Sequence, residues 1–311
     1  MPTIITRGSM SATGFGLFRA ATGGADGTFG IFALGSQSST SEQYTYATGV
    51  VTTGTAFSGA MNGSSAAGNT TFGVFARGNG GGCYTTNRYK YTYSGSSVSA
   101  GGAATSASGF GAATGNSTVG IFALGISQAA GFCRSTTRNK YTYSTDAVTA
   151  GGAATAASRY GSAVGNGTVG IFALGCTAGS VKVATRDKYT YSGDTVSAGG
   201  AATAGSARGS AAGNSTTGIF ALGCVSGVGA STTRNKYTYS SCTVAAGGAA
   251  SSASSQGSAT GNSTLGIFAL GSSGTTRDKY TYSNCTVASA TASNCGSSWG
   301  SATSNGNTSV I

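Results

Sequence analysis

Six near-copies of one hexapeptide constrain this chain more than any other feature. GIFALG begins at Gly30, Gly120, Gly170, Gly218 and Gly266, and the variant GVFARG begins at Gly73. Their central phenylalanines, Phe32, Phe75, Phe122, Phe172, Phe220 and Phe268, are spaced by 43, 47, 50, 48 and 48 residues. A second marker, YTY, follows each copy at Tyr44, Tyr91, Tyr141, Tyr189, Tyr237 and Tyr280. A fixed period of this length is the mark of a repeat architecture, in which each unit buries its apolar face only against its neighbours.

One period divides into four short strands. Strand a is the small-residue run before Gly-Asn, such as Gly209 to Ala212, and the Gly-Asn-Ser/Thr turn suits a tight hairpin. Strand b is TTGIFALG, with Ile and Ala on one side and Phe and Leu on the other. Strand c is RNKYTYS, alternating at period two. Strand d is TVSAGGAA. Four strands in roughly 40–50 residues, repeated six times, give an all-β β-propeller of four-stranded antiparallel blades. The glycine and alanine of the inner strand suit the crowded axis.

Six complete repeats run from about residue 19 to 290 of what is expected to be one domain, 1–311. Near the end, Gly300-Ser301-Ala302-Thr303 aligns with Gly257-Ser258-Ala259-Thr260 as a further strand a. Residues 1–18 have room for strands c and d. Joined with 291–311 they would form a split seventh blade that closes the ring and removes its open edges. Six blades is the alternative.

Composition narrows the function. The chain has 311 residues, 55 of them glycine, one proline and no histidine, and only 7% are charged. Without histidine there is no His-based acid–base catalysis and no His-ligated metal. The six acids are scattered, so no glycosidase pair is indicated. No enzyme activity and no cofactor are expected. The seven cysteines, Cys83, Cys133, Cys176, Cys224, Cys242, Cys285 and Cys295, form no CxxC pair and recur at matching repeat positions. They suggest free thiols rather than a disulfide framework. The Asn-x-Ser/Thr sites at Asn116, Asn166, Asn214 and Asn262 suggest turn chemistry. No secretory leader or membrane span is evident, so synthesis in a cytoplasm is expected.

The formal net charge is +11. Ten of the 17 basic residues are one feature copied five times: Arg88/Lys90, Arg138/Lys140, Arg186/Lys188, Arg234/Lys236 and Arg277/Lys279. As a ring near one rim they would hold an anionic glycan, a lipopolysaccharide phosphate or an acidic protein. Alternatively their stems cover tyrosine faces and keep strand edges soluble. The b–c loops, as at 79–86 and 126–135, vary most between repeats, which suits recognition on a constant scaffold.

The pattern resembles the kelch repeat. GNSTTGIFALG at Gly213 to Gly223 stands where that family has its glycine doublet, and KYTYS at Lys236 to Ser240 where it has its tyrosine strand. Leu-Gly replaces the doublet, the fourth-strand tryptophan is absent, and Trp299 lies elsewhere. Gly/Ala/Ser/Thr-rich arrays of this kind also resemble kelch-like proteins of bacteriophages and marine microbes. That resemblance implies a virion structural or adhesion protein, tail- or fibre-associated. Its partners would be other virion proteins, a host-surface glycan or a host receptor, with nucleic acid and membrane insertion not expected. A lectin-like propeller unconnected with a virus, or a protein-interaction scaffold, is the alternative.

Overall fold

The computed structural model describes residues 27–80 and 82–306. The expected N-terminal strands of residues 1–18 lie outside them, as does the stretch following 306. Six four-stranded antiparallel sheets are present among the described residues. In strand order a to d, blade 2 is Ser65–Gly68, Phe72–Ala76, Arg88–Thr92 and Ser97–Gly101. Blade 3 is Ala112–Gly115, Val119–Ala123, Arg138–Thr142 and Ala147–Gly151. Blade 4 is Ser162–Gly165, Val169–Ala173, Arg186–Thr190 and Thr195–Gly199. Blade 5 is Ser210–Gly213, Thr217–Ala221, Arg234–Thr238 and Thr243–Ala246. Blade 6 is Ser258–Gly261, Leu265–Ala269, Arg277–Thr281 and Thr286–Ala290.

Blade 1 draws on both ends of the described chain. Its strands b to d are Phe29–Ala33, Ser41–Thr45 and Val51–Thr53, and its strand a is Ser301–Ser304. Gly30 pairs with Ser304 and Ala33 with Ser301. The strand a read from Gly300 to Thr303 is therefore present, but it completes blade 1 rather than opening a seventh blade. The six inner strands contact one another in a closed cycle, with that of blade 1 lying between those of blades 6 and 2. The described residues thus give six blades in place of the expected seven.

A chain of backbone hydrogen bonds circles the axis where strands a begin. Phe110 N donates to Gly63 O, Tyr160 N to Phe110 O, Arg208 N to Tyr160 O and Gln256 N to Arg208 O, each at 2.8 Å. Trp299 N donates to Gln256 O at 2.9 Å, and Ser64 N returns to Trp299 O at 3.3 Å. On the opposite face the asparagine of the a–b turn ties one blade to the next in blades 2 to 6. Asn116 Oδ1 accepts from the Thr118 and Val119 amides, while its Nδ2 donates to Gly167 O. Asn69, Asn166, Asn214 and Asn262 repeat the device. Turn chemistry accounts for the Asn-x-Ser/Thr sites at Asn116, Asn166, Asn214 and Asn262.

The cores lie between blades. Strand b alternates, so Ile faces the following blade and Phe the preceding one. Ile171 of blade 4 packs with Phe220, Leu222, Tyr237 and Tyr239 of blade 5, and Ile219 of blade 5 with Phe268, Tyr280 and Tyr282 of blade 6. Ile267 of blade 6 packs with Phe32, Tyr44 and Tyr46 of blade 1. No helix among the described residues is long and apolar enough to cross a membrane.

Because blade 1 takes its inner strand from 301–304, removal of residues 297–311 exposes the edge of Phe29–Ala33 and opens the ring. The expected result is loss of one cooperative unfolding transition and a concentration-dependent rise in light scattering, both readable in a thermal melt.

Candidate functional site

The five arginines of strand c do not form an exposed ring. Each is 1–2% exposed and lies between blades. In strand c the Arg and Lys side chains face the following blade, and the intervening residue and Tyr face the preceding one. Arg88, Arg138, Arg186, Arg234 and Arg277 place their guanidinium carbons 4.2–4.6 Å from the ring centroids of Phe122, Phe172, Phe220, Phe268 and Phe32 of the next blade. Their Nη2 atoms donate to Asn139, Asp187, Asn235, Asp278 and Glu42 respectively, at 2.6–3.2 Å. The acceptor is held from its other side by a Thr or Ser of the d–a connection, such as Thr155 Oγ1 on Asp187 at 2.6 Å. Guanidinium stacking on the aromatic face, with a directed acceptor, accounts for arginine here rather than lysine.

Burial lowers the pKa of all five guanidinium groups. At Arg138, Arg234 and Arg277 the facing carboxylate works against that effect. At Arg88 and Arg186, which meet a neutral Asn, the pKa is pushed down to about 10, leaving both cationic at neutral pH. Such buried groups cannot receive an external anion.

The five lysines are half-buried beside the same interfaces. Lys90 bonds Asp146 at 2.7 Å and Lys140 bonds Asp194 at 2.9 Å, each across to the next blade. Tyr141 and Tyr189 donate to the same carboxylates at 2.6 Å. In the next two interfaces a cysteine takes the acid's place: Lys188 reaches Cys242 Sγ at 3.7 Å and Lys236 reaches Cys285 Sγ at 3.6 Å. Lys279 occupies the equivalent place in blade 6. All seven cysteines are free. The ten basic residues singled out from the sequence are thus parts of the blade interfaces.

One interface departs from the rule. Blade 1 carries Ser41 and Gln43 where the others carry Arg and Lys, and blade 2 carries Tyr89 where the others carry the acceptor. Phe57 fills the gap, 4.9 Å from the Phe75 ring and stacked 5.4 Å from Tyr89. An aromatic ring covers Phe75 there in place of a guanidinium.

A different cluster stands open at the axial mouth. The six residues of the hydrogen-bonded ring are Gly63, Phe110, Tyr160, Arg208, Gln256 and Trp299, one per blade, each just before strand a. Their φ angles are +61, +58, +60, +62, +63 and +58°. A non-glycine residue in this region costs of order 1–3 kcal/mol and persists where the surroundings over-determine it. The ring of amide bonds does so here. The Phe110, Tyr160 and Trp299 rings meet mutually at 5.0–5.1 Å. The Arg208 guanidinium lies 5.1 Å from the Tyr160 ring and 5.3 Å from Trp299. Gly63 leaves room for Phe110, since a β-carbon there would fall 2.4 Å from its ring. The cluster runs outward through Tyr84, 6.2 Å from Phe110, to Phe132 on a b–c loop.

The remaining described cations, Arg77, Arg134, Arg159, Lys182 and Arg208, all belong to this face, on the b–c loops or d–a connections. None is ion-paired. Every described carboxylate, by contrast, is paired to a strand-c Arg or Lys. Asp26 lies outside the described residues. Among the described residues no group of three or more Cys, Asp or Glu is placed to hold a metal. Sequence reasoning located variation in the b–c loops and missed the mouth. Its signal was a residue that changes in every repeat immediately before an almost constant Gly-Ser-Ala.

Four-stranded blades around an axis, with the variable residues gathered at one mouth, define a β-propeller. No protein-family model and no curated protein matches the sequence. Among solved structures the chain is similar to TolB from Acinetobacter baumannii, with a TM-score of 0.59 and 11% identity over 89% of this chain and 67% of that one. It is also similar to YjhT, with a TM-score of 0.62 and 12% identity over 86% of this chain and 96% of that one. Both are β-propeller proteins, and at this identity the likeness is one of fold.

Two outcomes test the interfaces. Arg234→Met strands Asp278 without its cation and is expected to cost about 3–5 kcal/mol. Arg186→Met faces the neutral Asn235 and is expected to cost about 1–3 kcal/mol. Equilibrium denaturation of the two variants checks that order. For Asp146, burial opposes ionisation, but the Lys90 and Tyr141 hydrogen bonds outweigh it and hold the carboxyl below its usual range. A depressed folded pKa gives stability that is present above the unfolded value, about 3.9, and lost as pH falls through the folded value. As pH falls below about 4, hydrogen-exchange protection, corrected for the intrinsic rate at each pH, is therefore expected to fall at the blade 2–3 interface. It should fall less at the blade 4–5 interface, where Cys242 replaces the acid.

Proposed function

We propose that this protein is a non-catalytic recognition module that presents its axial mouth and b–c loops to a surface saccharide. The observation that carries the reading is the diversity of the mouth. The backbone ring holds six equivalent residues in one conformation, and glycine serves at one of them, so the scaffold has no need of Phe, Tyr, Arg, Gln and Trp at the others. A ligand does. Aromatic faces take the apolar side of a sugar ring, while Arg208 and Gln256 offer polar groups at the same spot. The engagement of every described carboxylate in an ion pair supports binding rather than acid–base chemistry.

The biological setting rests on the repeat's resemblance to kelch-like proteins of bacteriophages. On that reading the module belongs to a phage particle, at a tail or fibre, and acts in host-surface adhesion or in assembly. Immuno-electron microscopy of intact particles tests the setting, and particles free of the protein would sink it. A glycan array tests the site. Binding of a discrete saccharide set is expected, weakened about tenfold or more by Trp299→Ala, a change of the order seen when an aromatic anchor is truncated. The melting temperature should stay near that of the parent chain. An array without hits, or hits unmoved by Trp299→Ala and Arg208→Ala, would exclude the mouth as the binding site.

A further inference from the structure

Four large apolar side chains are exposed among the described residues, and three stand at b–c loop tips of consecutive blades. They are Phe132 of blade 3 at 56%, Val181 of blade 4 at 58% and Val228 of blade 5 at 71%. The tips are held out by local structure. Phe132 follows a one-turn 3-10 helix closed by Gly131, and it adopts φ +59°. Val228 lies in the turn of a short hairpin of two-residue strands, Cys224–Val225 with Gly229–Ala230, and is flanked by Gly227 and Gly229 at positive φ. Two tips carry a cation beside the apolar residue, Arg134 and Lys182, and Arg134 Nη2 bonds Ser180 Oγ at 2.8 Å, joining the first tip to the second. With these two, the face has five cations without an ion pair, and each described carboxylate is already paired.

We propose that this rim docks the b–c face onto an anionic lipid surface. Phe132, Val181 and Val228 enter the headgroup layer, and Arg134 and Lys182 meet the phosphates. Apolar side chains set among unpaired cations on one face are what an anionic bilayer surface retains, through buried apolar area and charge together. A nucleic-acid strand would instead ask for stacking surfaces at the tips, and two of the three are valines. The docking uses the rim and, of the axial cluster, only its outer end Phe132, stacked on Tyr84, so it goes beyond the saccharide reading and can fail separately from it.

The test is co-sedimentation of the full chain with vesicles of phosphatidylcholine alone and of phosphatidylcholine with phosphatidylglycerol. Binding is expected only to the anionic vesicles and should weaken as salt is raised. The triple variant Phe132→Ser, Val181→Ser, Val228→Ser should bind about tenfold or more weakly. Arg134→Ser and Lys182→Ser should each weaken binding about fivefold. These side chains lie outside the blade cores, and an unchanged melt confirms the fold. Trp299→Ala should bind vesicles like the parent chain. Three results would overturn the proposal: no binding to anionic vesicles, equal binding to neutral ones, or binding that the triple variant leaves intact. The last result would reduce the rim to a general attraction for anions, as would single-stranded DNA binding that matches vesicle binding in strength.

Discussion

Five arginine side chains, wholly removed from water, lie against phenylalanine rings of the neighbouring blade and point at an acceptor on its strand c. The rest of the molecule depends on that contact. A blade rich in Gly, Ala, Ser and Thr has little apolar area of its own to bury. Its stability must come from what stands between blades. The guanidinium supplies area, a cation over a π face and a directed hydrogen bond at once. Its desolvation is costly, and the acceptor is an amide at two joints, Asn139 and Asn235, and a carboxylate at three, Asp187, Asp278 and Glu42. Amide and carboxylate both satisfy the geometry, so the position tolerates either while the arginine stays constant.

The strand pattern was legible in the sequence because period-two alternation in GIFA and KYT maps directly onto two faces of a sheet. Strand a at 301–304 was legible from its match to 258–261. The blade number was not. Both chain ends were assigned to a separate blade, and nothing in local pattern shows that Ser301–Ser304 pairs with Phe29–Ala33. That pairing spans almost the whole chain and is fixed only when the ring closes.

The reading of the ten basic residues as an exposed ring has a physical source as well. Arg and Lys two apart on a strand share a face, and a charged face normally meets water. Strand c lies inside a blade that is covered on both sides, so that face meets the next blade. The alternation of Asn139, Asp187, Asn235 and Asp278 beside the arginines was the visible trace of a buried partner. The axial cluster was hidden for the opposite reason. Phe110, Tyr160, Arg208, Gln256 and Trp299 are five different residues, and a search for recurring residues passes over a position defined by its differences.

The interface between blades 1 and 2, where Phe57 and Ser41 stand in place of an arginine clamp, has a consequence for assembly. Near-identical blades invite exchange: any arginine strand could seat on any phenylalanine strand, within one chain or between two. A ring of six equal joints has no preferred place to shut. One joint of different chemistry removes that degeneracy, because strand c of blade 1 has no arginine to offer a wrong neighbour and blade 2 carries the ring of Tyr89 where the other blades carry an amide or carboxylate. The odd joint gives the circle a starting point, and every other blade is then numbered from it.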